Sequence, residues 1–130
     1  MEKNDKILLY HRLEDVPLPV LSGEPLDQGI ISLVRALRAL RLATKESCEG
    51  HETTGKKTYP WVELMPYEQL GNLDRSLEGY NQRSDIAWIR ERRVLHPGEA
   101  AILYKDRRIL QDSAACLAQY LFEHRPELYL

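Results

Sequence analysis

The amino-acid sequence predicts an α+β fold that is mainly helical, with three principal helices and a small antiparallel sheet. Three long segments repeat apolar residues at helical spacing, short apolar runs near both ends of the chain are rich in β-compatible residues, and prolines and glycines separate these segments. The 130 residues are enough to bury a core and fit one domain, 1–130. A content of 43% hydrophobic and 29% charged residues is typical of a globular chain rather than a disordered one.

The first predicted elements are a strand, a loop and a helix. The run 6–12, KILLYHR, predicts a strand. Three prolines and a glycine make 13–26 an ordered loop, because proline lacks an amide donor and fixes φ. Asp27 is the predicted N-cap of a helix over 28–47 that Gly50 ends. The apolar face of this helix consists of Ile30, Leu33, Leu37 and Leu40.

Two further faces of this helix differ in composition. Small residues that allow close helix packing occupy one of them, namely Ala36, Ala39 and Ala43. This alanine face is the basis for predicting a homodimer. Basic residues occupy the other, namely Arg35, Arg38, Arg41 and Lys45. We expect the basic face to be exposed to water, with contact to a polyanion as the alternative.

The stretch 58–95 contains both tryptophans and the densest basic run of the chain, 90–93. Asn72 is the predicted N-cap of a long helix that runs to Arg93. Asp74 in the first turn and arginines in the last turn suit the dipole of such a helix. The expected buried face consists of Leu73, Leu77, Tyr80, Ser84, Ala87 and Trp88.

The C-terminal part predicts a hairpin followed by a helix. The apolar runs 100–104 and 107–110 lie on either side of Lys105-Asp106, which indicates a β-hairpin. Asp112 is the predicted N-cap of the last helix, 113–124. We expect the N-terminal strand to pair with this hairpin and complete the small sheet.

Charge and cysteine content limit the partners and the compartment. The net charge of −2 gives no overall field that attracts nucleic acid or an anionic membrane, so any such contact requires a local patch. No apolar run approaches the length of a membrane span, and the charged N-terminal region is unlike a signal peptide. Two cysteines are too few for a disulfide framework. We expect a cytoplasmic protein with no cofactor and no specific nucleic-acid or membrane partner.

Two short motifs resemble parts of known sites, but both are incomplete. The segment 50–57, GHETTGKK, has the glycine and lysine spacing of a phosphate loop. However, Lys57 replaces the Ser or Thr that would hold magnesium, and the segment follows a predicted helix rather than a strand. Cys48 and His51 have the spacing of half a zinc site, whereas a structural site needs four ligands. We expect neither a nucleotide-hydrolysing loop nor a structural zinc.

An aromatic and arginine-rich site within 58–95 is the main functional hypothesis. Its predicted ligand-binding residues are Tyr59, Trp61, Tyr67, Asn81, Arg83 and Arg90. Aromatic rings stack on bases and guanidinium groups pair with phosphate, so the site predicts a nucleotide-like or other small anionic ligand. The alternative is that Trp61, Tyr80 and Trp88 are core residues, because a chain with one phenylalanine needs other large side chains.

Two other functions use residues of the same region. The aromatic stretch can be a protein interface, either for a partner or for a second copy of the chain. An enzyme needs an acid and a base within reach of each other, and the candidates are Glu63, Glu68, Asp85 and His96. No sequence spacing places these four together, so we expect a non-catalytic domain.

Three parts of the central stretch, namely Thr58-Tyr59-Pro60, PYEQL at 66–70 and the segment 77–86, resemble the ryanodine-receptor repeat domain, a small module found in the channel and in many bacterial and phage proteins. Thr58-Tyr59-Pro60 occupies the place of the family's Thr-His-Pro-like turn, and PYEQL at 66–70 resembles its PYEEL-like element. The segment 77–86 resembles its helix, in which an Asn and an Arg precede an apolar segment. The resemblance implies a non-catalytic module that binds nucleotide-type ligands or proteins and often occurs in pairs.

Overall fold

The computed structural model describes residues 10–18, 28–50 and 59–124. Within them the α-helices are α1 Ile31–Ala39, α2 Gly71–Asn81, α3 Glu99–Tyr104 and α4 Arg107–Glu123. The strands are β1 Thr44–Cys48, β2 Trp61–Leu64, β3 Trp88–Glu91 and β4 Val94–Pro97. The 3₁₀ turns are Leu13–Asp15 and Gln28–Ile30. The predicted α+β class, with three principal helices (α1, α2 and α4) and a small antiparallel sheet, is confirmed.

The described strands form one antiparallel sheet in the order β1–β2–β4–β3. β2 and β4 are central, with Val62 opposite Leu95, whereas β1 and β3 are edge strands. β3 and β4 are joined as a hairpin whose two-residue loop is Arg92-Arg93. The sheet therefore brings two arginines to one end of its edge strand.

A single cluster of buried side chains joins the sheet to the helices. α1 packs along α4, and the interior of this pair includes Leu33, Leu37, Leu117 and Leu121. Side chains alternate between the two faces of a strand, which sends Val62, Leu64 and Leu95 to the helix side. Trp88 is 0% exposed, and its indole N–H donates to the hydroxyl of Ser113 on α4 at 2.9 Å. Trp88 is therefore a core residue that connects β3 to α4.

The long helix predicted over 72–93 is wrong in its second half, because α2 ends at Asn81 and β3 follows. The carboxamide of Asn81 donates to the carbonyl of Trp88 at 2.8 Å and accepts from its amide at 2.9 Å. These two hydrogen bonds hold the start of β3 against the end of α2, at the position where a longer helix would have continued. Pairing of β3 with β4 buries Trp88 and Leu95, which outweighs a dipole contribution of about 0.3–1 kcal/mol.

The buried face of this segment was predicted better than its secondary structure. Leu73, Leu77, Tyr80 and Trp88 are buried, whereas Ala87 is exposed. The predicted N-cap Asn72 is wrong, because α2 starts at Gly71 and its N-cap is Leu70.

The helix predicted over 28–47 is also too long. α1 ends at Ala39, Arg41 turns the chain with a φ of 65°, and β1 follows. Gly50, the predicted end of that helix, comes after β1 and has a φ of 90°, a conformation that suits glycine. Ala36 and Ala39 are fully buried within the chain, so the alanine face is used for internal packing.

The hairpin predicted over 100–110 is wrong, because this segment forms α3 and the start of α4. Asp106, expected in a hairpin loop, caps α4 instead: its Oδ1 accepts the amide of Ile109 at 2.9 Å. Asp112, the predicted cap, lies inside α4. A carboxylate that satisfies a first-turn amide favours the helix by about 1 kcal/mol.

The N-terminal predictions lie partly outside the described residues. Residues 6–9, the beginning of the predicted strand, are outside them, and 10–12 form no strand. The predicted N-cap Asp27 also lies outside. The predicted loop 13–26 contains the 3₁₀ turn Leu13–Asp15, and its part from 19 onwards is not described.

Candidate functional site

A basic cavity at the β3–β4 hairpin is the candidate site. It has a volume of about 360 Å³, and its lining consists of Glu68, Leu70, Gly71, Arg90, Arg92 and Arg93. Three arginines from the hairpin and the first turn of α2 therefore meet at one cavity. We call this cavity the arginine pocket.

The hairpin loop positions two of the three arginines. Arg92 has a φ of 55°, in the left-handed region that hairpin loops usually give to Gly, Asn or Asp. Arg92 is exposed and has no ion-pair or side-chain hydrogen-bond partner in the part of the chain that the structure describes. Arg93 donates to the backbone carbonyl of Glu68, which ties the hairpin to the segment before α2. The loop thus presents one unpaired cation and one anchored cation to the pocket.

Arg90 contributes the third guanidinium through an ion pair with Asp74 on α2. Its Nε and Nη2 donate to the two carboxylate oxygens at 2.7 and 2.6 Å, and its Nη1 donates to the carbonyl of Arg92. The hydrogen bonds to Arg90 hold the pKa of the Asp74 carboxyl below its usual value, and the same bonds raise the pKa of Arg90. A bidentate pair has a fixed geometry, so Arg90 is positioned before any ligand arrives.

The start of α2 adds further positive potential to the arginine pocket. The N-cap Leu70 has an apolar side chain, which cannot accept hydrogen bonds from the first-turn amides. The N-terminus of a helix carries about half a positive charge, and here it lies beside the arginines. A methyl group added at Gly71 would meet no other described part of the chain within 4 Å, apart from its chain neighbours and its own helix, so the space next to the helix start is open.

A second cavity, of about 480 Å³, lies between α2 and β3 and shares Arg90 with the arginine pocket. Its lining consists of Asp74, Leu77, Glu78, Asn81, Gln82, Trp88, Ile89 and Arg90. Two carboxylates and several apolar side chains make this groove less suited to an anion than the arginine pocket.

The structure separates the six ligand residues predicted from the sequence. Arg90 lines the arginine pocket, and the exposed Tyr67 directly precedes Glu68 in its wall. Asn81 uses both ends of its carboxamide on the backbone of Trp88, which gives it a structural role. Two of the six are therefore at or next to the pocket.

The other three predicted residues lie elsewhere. The ring of Tyr59 packs 5.8 Å from the ring of His96. Trp61 alternates with the buried Val62, so it lies on the sheet face that points away from the helices. Arg83 follows α2, and its guanidinium lies 5.9 Å from the centre of the Tyr120 ring on α4. None of these three lines the arginine pocket.

Arg92 and Arg93 are the two arginines of the pocket that the sequence hypothesis does not include. The dense basic run 90–93 is the signal that identifies them. A helix over 72–93 would point consecutive arginines in different directions, about 100° apart. The hairpin instead places Arg90, Arg92 and Arg93 around one cavity.

The imidazole of His96, one of the predicted acid–base residues, has two close partners. The ring nitrogens of His96 lie 2.8 Å from Oε1 of Glu91 and 2.7 Å from the carbonyl oxygen of Pro97. His96 is thus engaged by a residue outside the predicted acid–base set. The described residues contain no group of three or more His, Cys, Asp and Glu side chains placed to hold a metal ion. His51 and most of the phosphate-loop-like segment lie outside them.

Comparison of the chain with models of known protein families, with curated proteins and with solved structures found no match. The resemblance to the ryanodine-receptor repeat therefore stays a prediction. In the ranges that the structure describes, no helix combines the length and the apolar character needed to cross a membrane.

Proposed function

We propose that this domain binds a small anionic ligand, such as a nucleotide, in the arginine pocket without catalysing a reaction. The observation that carries the proposal is the convergence of Arg90, Arg92, Arg93 and the first turn of α2 on one cavity. Guanidinium groups donate hydrogen bonds in the planar geometry that carboxylates and phosphates accept. A helix N-terminus binds anions through amides that have no intrahelical partner.

The balance of charge in the pocket supports an anionic ligand. Three arginine charges surround the pocket. Asp74 pairs with Arg90, and the lining also contains the negative charge of Glu68, so the pocket retains one net positive charge. The start of α2 adds a partial positive charge. Tyr67 is 69% exposed next to this wall and offers an aromatic face for the uncharged part of a ligand.

The backbone of Arg92 supports a role beyond folding. A left-handed conformation costs a residue with a side chain about 1–2 kcal/mol, whereas glycine adopts it without this cost. Folding alone would therefore favour glycine at this loop position, where φ is 55°. Strained residues of this kind cluster at binding sites.

The test is a titration of the whole chain with inorganic phosphate, pyrophosphate, acetate and a panel of nucleotides, followed by melting and by calorimetry. A ligand at about 100 times its Kd should add about 2.7 kcal/mol to the free energy of unfolding. Arg92→Gly should keep or raise the stability of the free protein and weaken binding at least about tenfold, the scale of a lost charge-assisted hydrogen bond. A melting temperature that no anion changes would refute the proposal.

Arg41→Gly is the matched control. Arg41 is exposed and is the other non-glycine residue with a positive φ in the described ranges, at 65°. The substitution removes the same charge and relieves the same kind of backbone strain at a position that does not line the pocket. Anion binding should therefore be unchanged, and an equal loss in both variants would attribute the effect to net charge instead of the pocket.

The second candidate function that we propose is a protein interface formed by the aromatic stretch, in a homodimer or with a partner. The exposure of Tyr67 favours it, because large exposed aromatic side chains anchor interfaces. A dimer cannot use the alanine face, since Ala36 and Ala39 are buried within the chain. Sedimentation should show a concentration-dependent dimer that Tyr67→Ser weakens, and a single 15.1 kDa species at every concentration would rule the dimer out.

The setting that we propose for either function is the cytoplasm. Cys48 and Cys116 are free thiols, and Cys116 is exposed. Exposed free thiols are typical of proteins in reducing compartments.

A further inference from the structure

The corner between α3 and α4 carries large apolar side chains that are exposed in the described part of the chain. We define the α3–α4 corner as residues 103–109, all of which are exposed. None of the described residues of α3 is buried. Leu103, Tyr104 and Ile109 are 63%, 81% and 41% exposed, and they are three of the four large apolar side chains exposed in the described ranges. Three large exposed apolar side chains within seven consecutive residues favour a surface that contacts something outside the chain.

Three cations lie between these apolar side chains. Lys105, Arg107 and Arg108 are exposed, and none of them has an ion-pair or hydrogen-bond partner for its side chain in the part of the chain that the structure describes. The corner contains one carboxylate, that of Asp106, which accepts the amide of Ile109 as the helix cap. The corner therefore carries a local positive charge on a chain whose net charge is −2.

Two of these cations stand at the start of α4, where the helix dipole does not favour them. Arg107 and Arg108 are the first residues of α4, whose first turn contains no acidic residue. The partial positive charge at a helix N-terminus repels cations and favours acidic side chains. Arg107 and Arg108 therefore gain nothing from the helix dipole, which leaves them available for contact with an anionic surface.

We propose that the α3–α4 corner docks on an anionic lipid surface. Its apolar side chains enter the interface, where the ring and hydroxyl of Tyr104 suit the boundary between lipid and water. Its cations remain at the headgroups, as long basic side chains do at such boundaries. Neither the chain's overall charge nor a membrane-spanning helix is required for this local contact.

The shape and charge of the corner favour lipid over other occupants. An exposed corner between two helices enters a deformable lipid interface without a complementary cleft, whereas a protein partner must supply one. A second copy in a symmetric contact would bring two copies of the same positively charged corner together. The corner therefore fits an anionic bilayer better than it fits itself.

The experiment is co-sedimentation of the whole chain with two kinds of vesicles, pure phosphatidylcholine and equal parts of phosphatidylcholine and phosphatidylserine. The protein should sediment with the anionic vesicles in a salt-sensitive manner and much less with the neutral ones. Arg107→Glu/Arg108→Glu should lower the partition coefficient about 25-fold or more, because each cation near an anionic surface corresponds to roughly a fivefold change. Leu103→Ser/Tyr104→Ser should lower it at least about tenfold.

Matched variants keep the result interpretable. The charge-reversed pair should melt no lower than the original chain, since acidic residues suit the start of α4. Arg38→Glu/Lys45→Glu changes the net charge equally at two exposed positions on α1 and β1, and it should leave vesicle binding intact. Arg92→Gly should also leave it intact, which separates this contact from the arginine pocket.

Three results would overturn the proposal. The first is equal binding to neutral and anionic vesicles. The second is equal loss of binding in the corner pair and in the Arg38→Glu/Lys45→Glu pair. The third is tighter binding to a duplex DNA fragment or to an acidic peptide than to the anionic vesicles, with the same dependence on Arg107 and Arg108.

Discussion

The two carboxylate oxygens of Asp74 accept hydrogen bonds from Nε and Nη2 of Arg90 at 2.7 and 2.6 Å, which joins α2 to the edge strand β3. Asp74→Asn should therefore destabilise the protein at neutral pH. The effect should be no more than about 1 kcal/mol, because the Asp74 side chain is 44% exposed and solvent screens the pair.

The same pair predicts a pH dependence. The pKa of Asp74 is lower in the folded protein than its ordinary value, so the charged pair contributes fully above the unfolded pKa of about 3.9. Its contribution disappears as the pH falls through the folded pKa. Urea unfolding of the original chain and of Asp74→Asn should therefore give stabilities that converge as the pH is lowered from neutral. A difference that does not change with pH would show that the ion pair contributes nothing measurable.

The sequence predicts the fold class and much of the core because apolar spacing is local information. Leu73, Leu77 and Tyr80 recur at helical spacing, and the structure buries all three. The sequence does not predict which strands form the sheet, because the pairing of Val62 with Leu95 joins strands far apart in the chain. No local pattern encodes that pairing.

Boundaries were mispredicted where one pattern suits two structures. Arginines over 90–93 suit the end of a helix and also a hairpin loop, and only the pairing of β3 with β4 decides between them. Likewise, two apolar runs around Lys105-Asp106 suit a hairpin, although Asp106 acts as a helix cap. The candidate site depends on the β3–β4 hairpin, which the sequence does not predict. For this reason the sequence hypothesis includes Arg90 but not Arg92 or Arg93.

Asn81→Ala should destabilise the protein by about 1–2 kcal/mol. The substitution removes both hydrogen bonds that hold the amide and the carbonyl of Trp88 at the edge of the sheet. Chemical denaturation measures the effect, and Gln82→Ala, at an exposed neighbouring position, should stay within about 0.5 kcal/mol. An Asn81→Ala protein with normal stability but impaired anion binding would instead favour the ligand role predicted from the sequence.

Gly71→Asp and Gly71→Ala form a pair that tests the arginine pocket without loss of stability. Neither side chain meets a neighbour at its Cβ, so both should fit, and both should stabilise the start of α2 by up to about 1 kcal/mol through helix propensity. Asp adds a favourable interaction with the helix dipole and places a carboxylate beside the arginines. Gly71→Asp should therefore melt higher and bind anions at least about tenfold more weakly, while Gly71→Ala keeps binding. Equal binding by the two variants would contradict an anion site at the start of α2.

Ser113→Ala should destabilise the protein by about 1–3 kcal/mol, although it removes one oxygen atom. The hydroxyl of Ser113 accepts the indole N–H of Trp88 at 2.9 Å, and Trp88 is 0% exposed, so water cannot replace the lost acceptor. Trp88→Phe removes the donor together with part of the ring and should cost more, because it leaves a cavity. The Trp88→Phe protein has no indole N–H that could lose its acceptor. Adding Ser113→Ala to it should therefore lower the stability much less than Ser113→Ala does alone. Urea unfolding of the four proteins should thus give a coupling energy of about 1 kcal/mol or more, and strictly additive effects would show that this hydrogen bond does not hold β3 to α4.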